Sequence, residues 1–180
     1  MAAPSGVGYA YPSIWPADSR RGDFAGLTHD GMQAAGMSVV NVLGQNDDEP
    51  SESELLDLLA GNVTGMLYYS WGSGYSGFGG KMWTMGGKPV VSGRYTLWGE
   101  EAEGPMLGVD GMIAALTALP CRDKSMAEAY SVVPVHAWSH NLTDVMRVVA
   151  ALEEAGGFEV VLPSELLIRV ASNVMNLTGL

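Results

Sequence analysis

The sequence predicts an α/β domain whose strands are mostly parallel. Segments with the pattern of strands alternate with segments with the pattern of helices, an order typical of parallel strands joined by right-handed crossovers. The run at residues 37–43 is dense in valine, which suits a strand that is buried on both faces. The 180 residues are 47% hydrophobic and 16% charged, so we expect a single globular domain over residues 1–180.

The first half of the chain carries three predicted strands and two predicted helices. Apolar residues at three- and four-residue spacing predict a helix over residues 23–35. A second helix opens at residues 51–54, where Ser51 and Glu54 have the spacing of a capping box. Short apolar runs predict strands at residues 7–12, 37–43 and 63–69.

The second half continues the alternation after a glycine- and aromatic-rich loop at residues 71–80, which we interpret as a mobile rim. Asn141 and Gly156 have the residue types that begin and end a helix, and they enclose the clearest helical pattern in the chain. The predicted strands lie within residues 88–98, 130–137 and 158–162, and the predicted helices cover residues 104–119, 142–155 and 163–174.

Composition excludes several classes of partner and of chemistry. The net charge of −11 argues against nucleic acids and anionic membranes as partners, whereas neutral glycans are compatible with it. A stretch of about 18 apolar residues that could span a membrane does not occur. The start of the sequence, residues 1–4, has neither the basic region nor the apolar run of a signal peptide. Cys121 is the single cysteine, so an internal disulfide is excluded, and we interpret it as structural rather than nucleophilic.

Residues 6–12 read Gly-Val-Gly-Tyr-Ala-Tyr-Pro. In an extended segment Tyr9 and Tyr11 point the same way, because side chains alternate along a strand, and Pro12 ends the strand. A phenol ring has a flat apolar face and a polar tip, which suits contact with a sugar. The alternative is a strand edge with two packed tyrosines.

This heptapeptide matches the signature G-x-G-Y-x-Y-P, and the chain resembles the GxGYxYP family, whose members are described as glycoside hydrolases or sugar-processing proteins. Residues 36–44, 86–92 and 133–140 look like later blocks of the family's C-terminal domain. The family domain carries an acidic S-D-G-D-N block upstream, which this sequence lacks. We therefore expect the chain to correspond to the C-terminal part of a larger domain, and whether it is catalytic by itself stays open.

The end of the chain resembles another group of carbohydrate enzymes. Residues 158–166 are similar to the final strand and helix of polysaccharide-deacetylase barrels, and Val135-His136 is similar to their late strand that carries a histidine. The resemblance implies a partial β/α barrel. A partial barrel leaves sheet edges open, so we expect self-association through the open edge.

In such a barrel the active site lies at the carboxyl ends of the strands. We expect His136 to follow a strand there and to face the same cleft as Tyr9. The aromatic residues at the predicted strand ends could stack on sugars or could simply seal the barrel. The candidate substrate-binding residues are Tyr9, Tyr11, Trp71, Tyr75, Trp98, Trp138 and His140.

Glycoside hydrolysis commonly uses two carboxylates, and the catalytic candidates are His136, Asp48 and Glu100. Each of these acids also fits a solvated loop, and His136 also fits a hydrogen-bonded structural histidine. His136 and His140 are four residues apart, but they do not share a predicted helix and lack a nearby third ligand. We therefore expect no metal and no cofactor.

The resemblance implies a carbohydrate-active protein, a glycoside hydrolase that acts on a glycan or oligosaccharide. The alternatives are a polysaccharide deacetylase-like enzyme and a non-catalytic glycan-binding or structural fragment. Because part of the family domain is not in this sequence, we expect the chain alone to hydrolyse glycosides weakly or not at all. Members of the family are commonly exported, but the sequence carries no address of its own, so its localisation stays open.

Overall fold

A four-stranded sheet forms the centre of the protein. The structure, a computed structural model, describes residue 11 and residues 19–44, 49–70, 78–99, 104–119 and 123–178. The strands are β1 (Val39–Gly44), β2 (Gly65–Ser70), β3 (Met82–Met85) and β4 (Lys88–Ser92). Their spatial order is β1-β2-β4-β3, with β1, β2 and β4 parallel and β3 antiparallel at the edge.

A second, smaller sheet follows the central one along the chain. It consists of β5 (Thr96–Leu97) and β6 (Met106–Leu107), which are parallel. An isolated parallel bridge joins Leu97 to Val135. The mixed α/β class with mostly parallel strands is therefore confirmed. The described residues form no closed barrel, so the barrel stays a prediction.

Helices cover both faces of the central sheet and build a separate layer beside the small sheet. The α-helices are α1 (Ser19–Ala34), α2 (Glu52–Leu55), α3 (Val109–Thr117), α4 (Leu142–Ala155) and α5 (Pro163–Asn173). The helix α2 continues directly into a 3-10 turn at Leu56–Leu59, and a further 3-10 turn lies at Ala127–Ala129.

The alternation of side chains along the strands divides the core into two layers. Val40 and Val42 of β1 face the cluster that includes Phe24 of α1 and Leu58 of the 3-10 turn. Val39 faces the opposite cluster, which includes Leu67, Val91 and the α5 residues Leu167 and Val170. A third cluster joins Leu97 of β5 to α3 and α4. Burial of β1 on both faces explains why its sequence is almost entirely apolar.

Gly65 permits the close approach of β4 and α5 at the start of β2. A Cβ atom there would lie 2.5 Å from the carbonyl oxygen of Pro89 and 3.3 Å from Cδ1 of Leu167. The first distance is far below van der Waals contact and involves backbone, which cannot move aside cheaply. Glycine is therefore required by packing at this position.

Most predicted elements are confirmed, with shifted boundaries. The helices expected at residues 23–35, 142–155 and 163–174 are α1, α4 and α5, and the strands expected at 37–43 and 63–69 are β1 and β2. The strand expected within residues 88–98 is split into β4 and β5. The helix expected over residues 104–119 begins only at Val109, after the short strand β6.

Two strand predictions were wrong. Residues 130–137 form only the single bridge at Val135, because Pro134 has no N–H to continue a ladder. Residues 158–162 pair with no strand among the described residues, and Val160 and Leu162 are 61% and 72% exposed. The strand expected at residues 7–12 lies outside the described residues except for Tyr11.

The capping box was expected at the wrong helix. Ser51 does precede α2, but its side chain makes no capping bond, and its hydroxyl lies 2.8 Å from the hydroxyl of Ser53. A complete box occurs at α4 instead. Asn141 Oδ1 accepts from the N–H groups of Thr143 and Asp144, and Asp144 Oδ2 accepts from the N–H of Asn141.

Replacing Asn141 by alanine is expected to lower the free energy of unfolding by about 1 kcal/mol, because two amide N–H groups of α4 lose their acceptor. Urea denaturation followed by circular dichroism measures the change. The control variant Asn141→Asp keeps a capping oxygen and is expected to unfold at nearly the concentration of the unmodified protein. Equal destabilisation by both variants would contradict the capping role.

Candidate functional site

A cluster of aromatic rings lies at the carboxyl end of β5. The ring of His136 stacks on Trp98, with 3.4 Å between ring centroids and 20° between planes. The ring of Trp138 meets this histidine ring edge to face, with 5.2 Å between centroids and 67° between planes. We call Trp98, His136, Trp138, Ser139 and His140 the Trp–His cluster. The structure thus brings together four of the residues that the sequence predicted for the site.

Backbone pairing fixes the position of this cluster. The N–H of Leu97 donates to the carbonyl oxygen of Pro134, and the N–H of His136 donates to the carbonyl oxygen of Leu97. These two bonds align the end of β5 with residues 134–136. Trp98 and His136, which directly follow the paired residues Leu97 and Val135, therefore lie side by side. His136 therefore directly follows an isolated parallel bridge to β5, whereas the sequence predicted that it would end a strand of its own.

Hydrogen bonds around Ser139 define the tautomer of His136. The Ser139 Oγ lies 2.8 Å from Nδ1 of His136, 3.2 Å from the N–H of Gly99 and 3.3 Å from the carbonyl oxygen of His136. All three contacts are satisfied together when Nδ1 carries the proton and donates to Ser139, while the Ser139 hydroxyl donates to the carbonyl. We infer this assignment from the network.

In that tautomer Nε2 of His136 presents a lone pair. No described residue forms a hydrogen bond with Nε2. Burial lowers the pKa of His136 below its ordinary value, and the nearby His140 lowers it further. The imidazole is therefore neutral at pH 7, and Nε2 can accept a hydrogen bond or a proton.

His140 is the buried member of the cluster, with its side chain only 4% exposed. Its Nε2 lies 3.2 Å from the carbonyl oxygen of Gly99, and its Nδ1 lies 3.3 Å from Oδ2 of Asp144. The pKa of Asp144 is lowered, chiefly by the hydrogen bond from the N–H of Asn141. Both ring nitrogens are thus engaged within the protein, and His140 ties the segment after β5 to the start of α4.

Trp138 is the exposed member, with 91% of its surface accessible. Tryptophan is usually well buried, so an indole left almost entirely in water offers an apolar surface that a ligand can cover. The indole lies next to the imidazole of His136, with 5.2 Å between the ring centroids. This pairing of an apolar ring with a hydrogen-bond acceptor suits a ligand that has both apolar and hydroxyl surfaces.

Of the remaining predicted site residues, Tyr11 alone is among those that the structure describes. Tyr11 is half-buried and lies outside a strand. The expectation that Tyr9 and His136 share a cleft stays a prediction, as do the assigned roles of the following residues, which lie outside the described residues: Tyr9, Asp48, Trp71, Tyr75 and Glu100.

The sequence analysis missed Asp144, which holds His140. It also gave no indication that Ser139 fixes the tautomer of His136. The Asn-x-x-Asp spacing at residues 141–144 was a usable signal for Asp144, since it has the form of a capping box.

Within the described ranges, no three His, Cys, Asp or Glu side chains are grouped so that they could hold a metal ion. Similarly, no described helix has the length and apolar character needed to cross a membrane.

Comparison with solved structures finds a protein of similar fold. A solved structure described as "a putative hydrolase from Bacteroides thetaiotaomicron VPI-5482" is 23% identical to this chain and has a TM-score of 0.77. The match covers 96% of this chain and 33% of the other chain, so the chain spans about a third of that protein's length. This likeness shows a shared fold.

A search of curated proteins gives no match. The sequence model of one family matches residues 1–171 and is described as "GxGYxYP putative glycoside hydrolase C-terminal domain". The match covers nearly the whole chain, including the heptapeptide at residues 6–12. The chain therefore belongs to the GxGYxYP family and represents its C-terminal domain.

Proposed function

We propose that this domain binds glycans at the Trp–His cluster and takes part in their hydrolysis. The observation that carries the proposal is the exposed Trp138 beside the stacked pair of Trp98 and His136, at the carboxyl end of β5. Ligand sites of α/β proteins lie at this end of the strands. The family description and the hydrolase likeness support the same class of reaction.

The cluster offers two kinds of contact to a sugar. The indole of Trp138 offers a flat apolar surface to the C–H face of a pyranose ring. The imidazole of His136 lies 5.2 Å from the indole between ring centroids, and its Nε2 atom accepts a hydrogen bond from a hydroxyl of the same sugar. Ser139 holds the imidazole in this orientation, so the acceptor is in place before the ligand arrives.

For the chemical step we assign His136 as the base that accepts a proton from the water that attacks the anomeric carbon. Its lowered pKa keeps Nε2 free at neutral pH. Asp48 and Glu100 are proposed as the carboxylates that glycoside hydrolysis commonly needs, one of which, in its protonated form, donates a proton to the leaving oxygen as the glycosidic bond breaks. We further propose that the chain supplies the late units of a β/α barrel, in which the remaining units come from elsewhere in a longer protein.

Replacing Trp138 by alanine tests the glycan site directly. A panel of neutral oligosaccharides is titrated against the full chain by isothermal calorimetry, with tryptophan fluorescence as a second signal. At least one member is expected to bind, and Trp138→Ala is expected to weaken its binding about 2- to 12-fold, because aromatic contacts of this kind contribute about 0.5–1.5 kcal/mol.

The matched control is Leu27→Ala, which removes an apolar side chain that is 61% exposed on α1. This variant is expected to bind the same oligosaccharide with unchanged affinity. The proposal fails if no oligosaccharide binds, or if Trp138→Ala binds as tightly as the unmodified chain. Binding without any hydrolysis of aryl glycosides would show that this chain by itself acts as a glycan-binding domain.

A further inference from the structure

A cavity of about 450 Å³ lies beside the edge strand β3, apart from the Trp–His cluster. Its walls combine aromatic, apolar and charged side chains, and no residue of the Trp–His cluster lines it. The lining residues that matter for its chemistry are Phe78, Lys81, Trp83, Arg94, Glu128 and Met175. The cavity is large enough for a monosaccharide-sized ligand.

Arg94 is the central charged group of this cavity. It follows the carboxyl end of β4 by two residues. Its Nη2 donates to the carbonyl oxygens of Ala127 and Tyr130 over 3.4 Å and 3.3 Å, and its Nε is buried without a hydrogen-bond partner. Among the described residues no carboxylate pairs with the guanidinium and none accepts from Nη1, so the N–H groups of Nη1 are left to donate to a ligand.

The turn at Gly80 is built around the guanidinium. A Cβ atom at Gly80 would lie 2.7–2.9 Å from Nη2, Cζ and Nε of Arg94, and Gly80 has a φ of +81°. Backbone thus packs directly on the arginine head, which reduces its contact with water. A charged hydrogen bond made by a partly dehydrated guanidinium is stronger than one made in bulk water.

The other charges of the cavity indicate what kind of anion fits. Lys81 is already paired with Glu49, which also accepts from Nε1 of Trp83 at 3.1 Å. Glu128 adds a negative charge to the wall. With a net charge of −11 on the whole chain, a polyanion would be repelled, whereas a single carboxylate can be matched by Arg94.

We propose that this cavity binds the carboxylate of a uronic acid residue of a glycan. Arg94 donates to the carboxylate, and the aromatic wall of Phe78 and Trp83, whose rings meet edge to face at 5.6 Å, contacts the body of the sugar. The choice of a sugar rests on the proposed glycan function, whereas the choice of a carboxylate rests on Arg94. The site would select acidic residues within an otherwise neutral glycan.

The test compares glucuronate with its uncharged methyl ester on the unmodified chain, by saturation-transfer NMR and isothermal calorimetry. Glucuronate is expected to bind about 10-fold more tightly than the ester, because only the acid makes a charge-assisted bond. This comparison needs no variant, so it does not depend on how a substitution folds. Equal binding of acid and ester would overturn the proposal.

Arg94→Gln is then expected to abolish the preference for the acid, after circular dichroism has shown that the variant is folded. Arg147→Gln is the control, because Arg147 makes a remote surface pair with Asp110, and this variant is expected to keep the 10-fold preference. A preference that survives Arg94→Gln would overturn the proposal, and so would acetate binding as tightly as glucuronate.

The neutral oligosaccharide that binds in the Trp138→Ala test separates the two proposals. If that binding depends on Trp138 but the chain does not distinguish glucuronate from its ester, only the acidic-sugar cavity is wrong. If the acid is preferred while Trp138→Ala has no effect, the cavity stands and the Trp–His cluster is not the glycan site.

Discussion

Replacing Leu167 by alanine is expected to lower the free energy of unfolding by about 2–5 kcal/mol, the range measured for large-to-small changes at well-packed core positions. Leu167 is 0% exposed and lies in the cluster that joins α5 to the central sheet. The surrounding side chains include Val39, Leu67 and Val91, which project from three neighbouring strands. Rigid strands cannot close the space that the leucine leaves, so the cavity cost is added to the lost burial.

The neighbouring Ile168 provides the control for this prediction. Its side chain is 49% exposed on the same helix, so Ile168→Ala removes an apolar group of the same size with little loss of packing. We expect a change of less than about 1 kcal/mol for Ile168→Ala. Urea denaturation of both variants measures the difference, and equal effects would show that α5 is not anchored through Leu167.

The elements that could be predicted from the sequence are those whose pattern is local. The strand β1 and the helix α4 could both be recognised from the spacing of their apolar residues. A strand buried on both faces has a continuous apolar run, whereas a helix has apolar residues three or four positions apart. The antiparallel strand β3 was missed although its signal was present. Gly86 and Gly87 form a two-residue turn with positive φ angles of 53° and 73° between β3 and β4, the pattern typical of a tight hairpin.

The elements that could not be predicted are those that depend on a distant partner. Residues 130–137 have the composition of a strand, yet they pair only at Val135, opposite Leu97. Residues 158–162 are rich in valine and other apolar residues, as strands are, but among the described residues nothing pairs with them. A ladder needs a partner backbone, and neither propensity nor spacing tells whether one is available.

The site was predictable in its residue types but not in its arrangement. Trp98, His136 and Trp138 were selected because they follow predicted strand ends, and the structure does bring them together. The stacking of Trp98 on His136 follows from backbone pairing between segments that are far apart in sequence. The hydrogen bond from Nδ1 of His136 to Ser139 decides the tautomer, and Ser139 also accepts from the N–H of Gly99. Such a contact between distant segments cannot be predicted from residue spacing.

His136→Gln is expected to lower kcat for glycoside hydrolysis about 10²- to 10⁴-fold, the usual contribution of a positioned general base. Glutamine has a similar size and can stay against Trp98, so the binding surface is kept and KM is expected to change little. The measurement is hydrolysis of activated aryl glycosides at high enzyme concentration, because turnover by this chain alone is expected to be slow. The control is His29→Gln, since His29 lies in α1 and its Nε2 is 3.1 Å from the carbonyl oxygen of Leu58, outside the Trp–His cluster.

The pH profile distinguishes a base from a structural histidine. Because burial and His140 lower the pKa of His136, the imidazole becomes protonated only at a pH below the usual value of about 6.5. Activity that needs the Nε2 lone pair is therefore fully present at neutral pH and is lost as the pH falls through the lowered pKa of His136. That acidic limb is expected to disappear in His136→Gln, which has no titrating ring. An unchanged limb, or a kcat within twofold of the unmodified chain, would show that His136 only supports the stack with Trp98, and that the base must be a carboxylate such as Asp48 or Glu100.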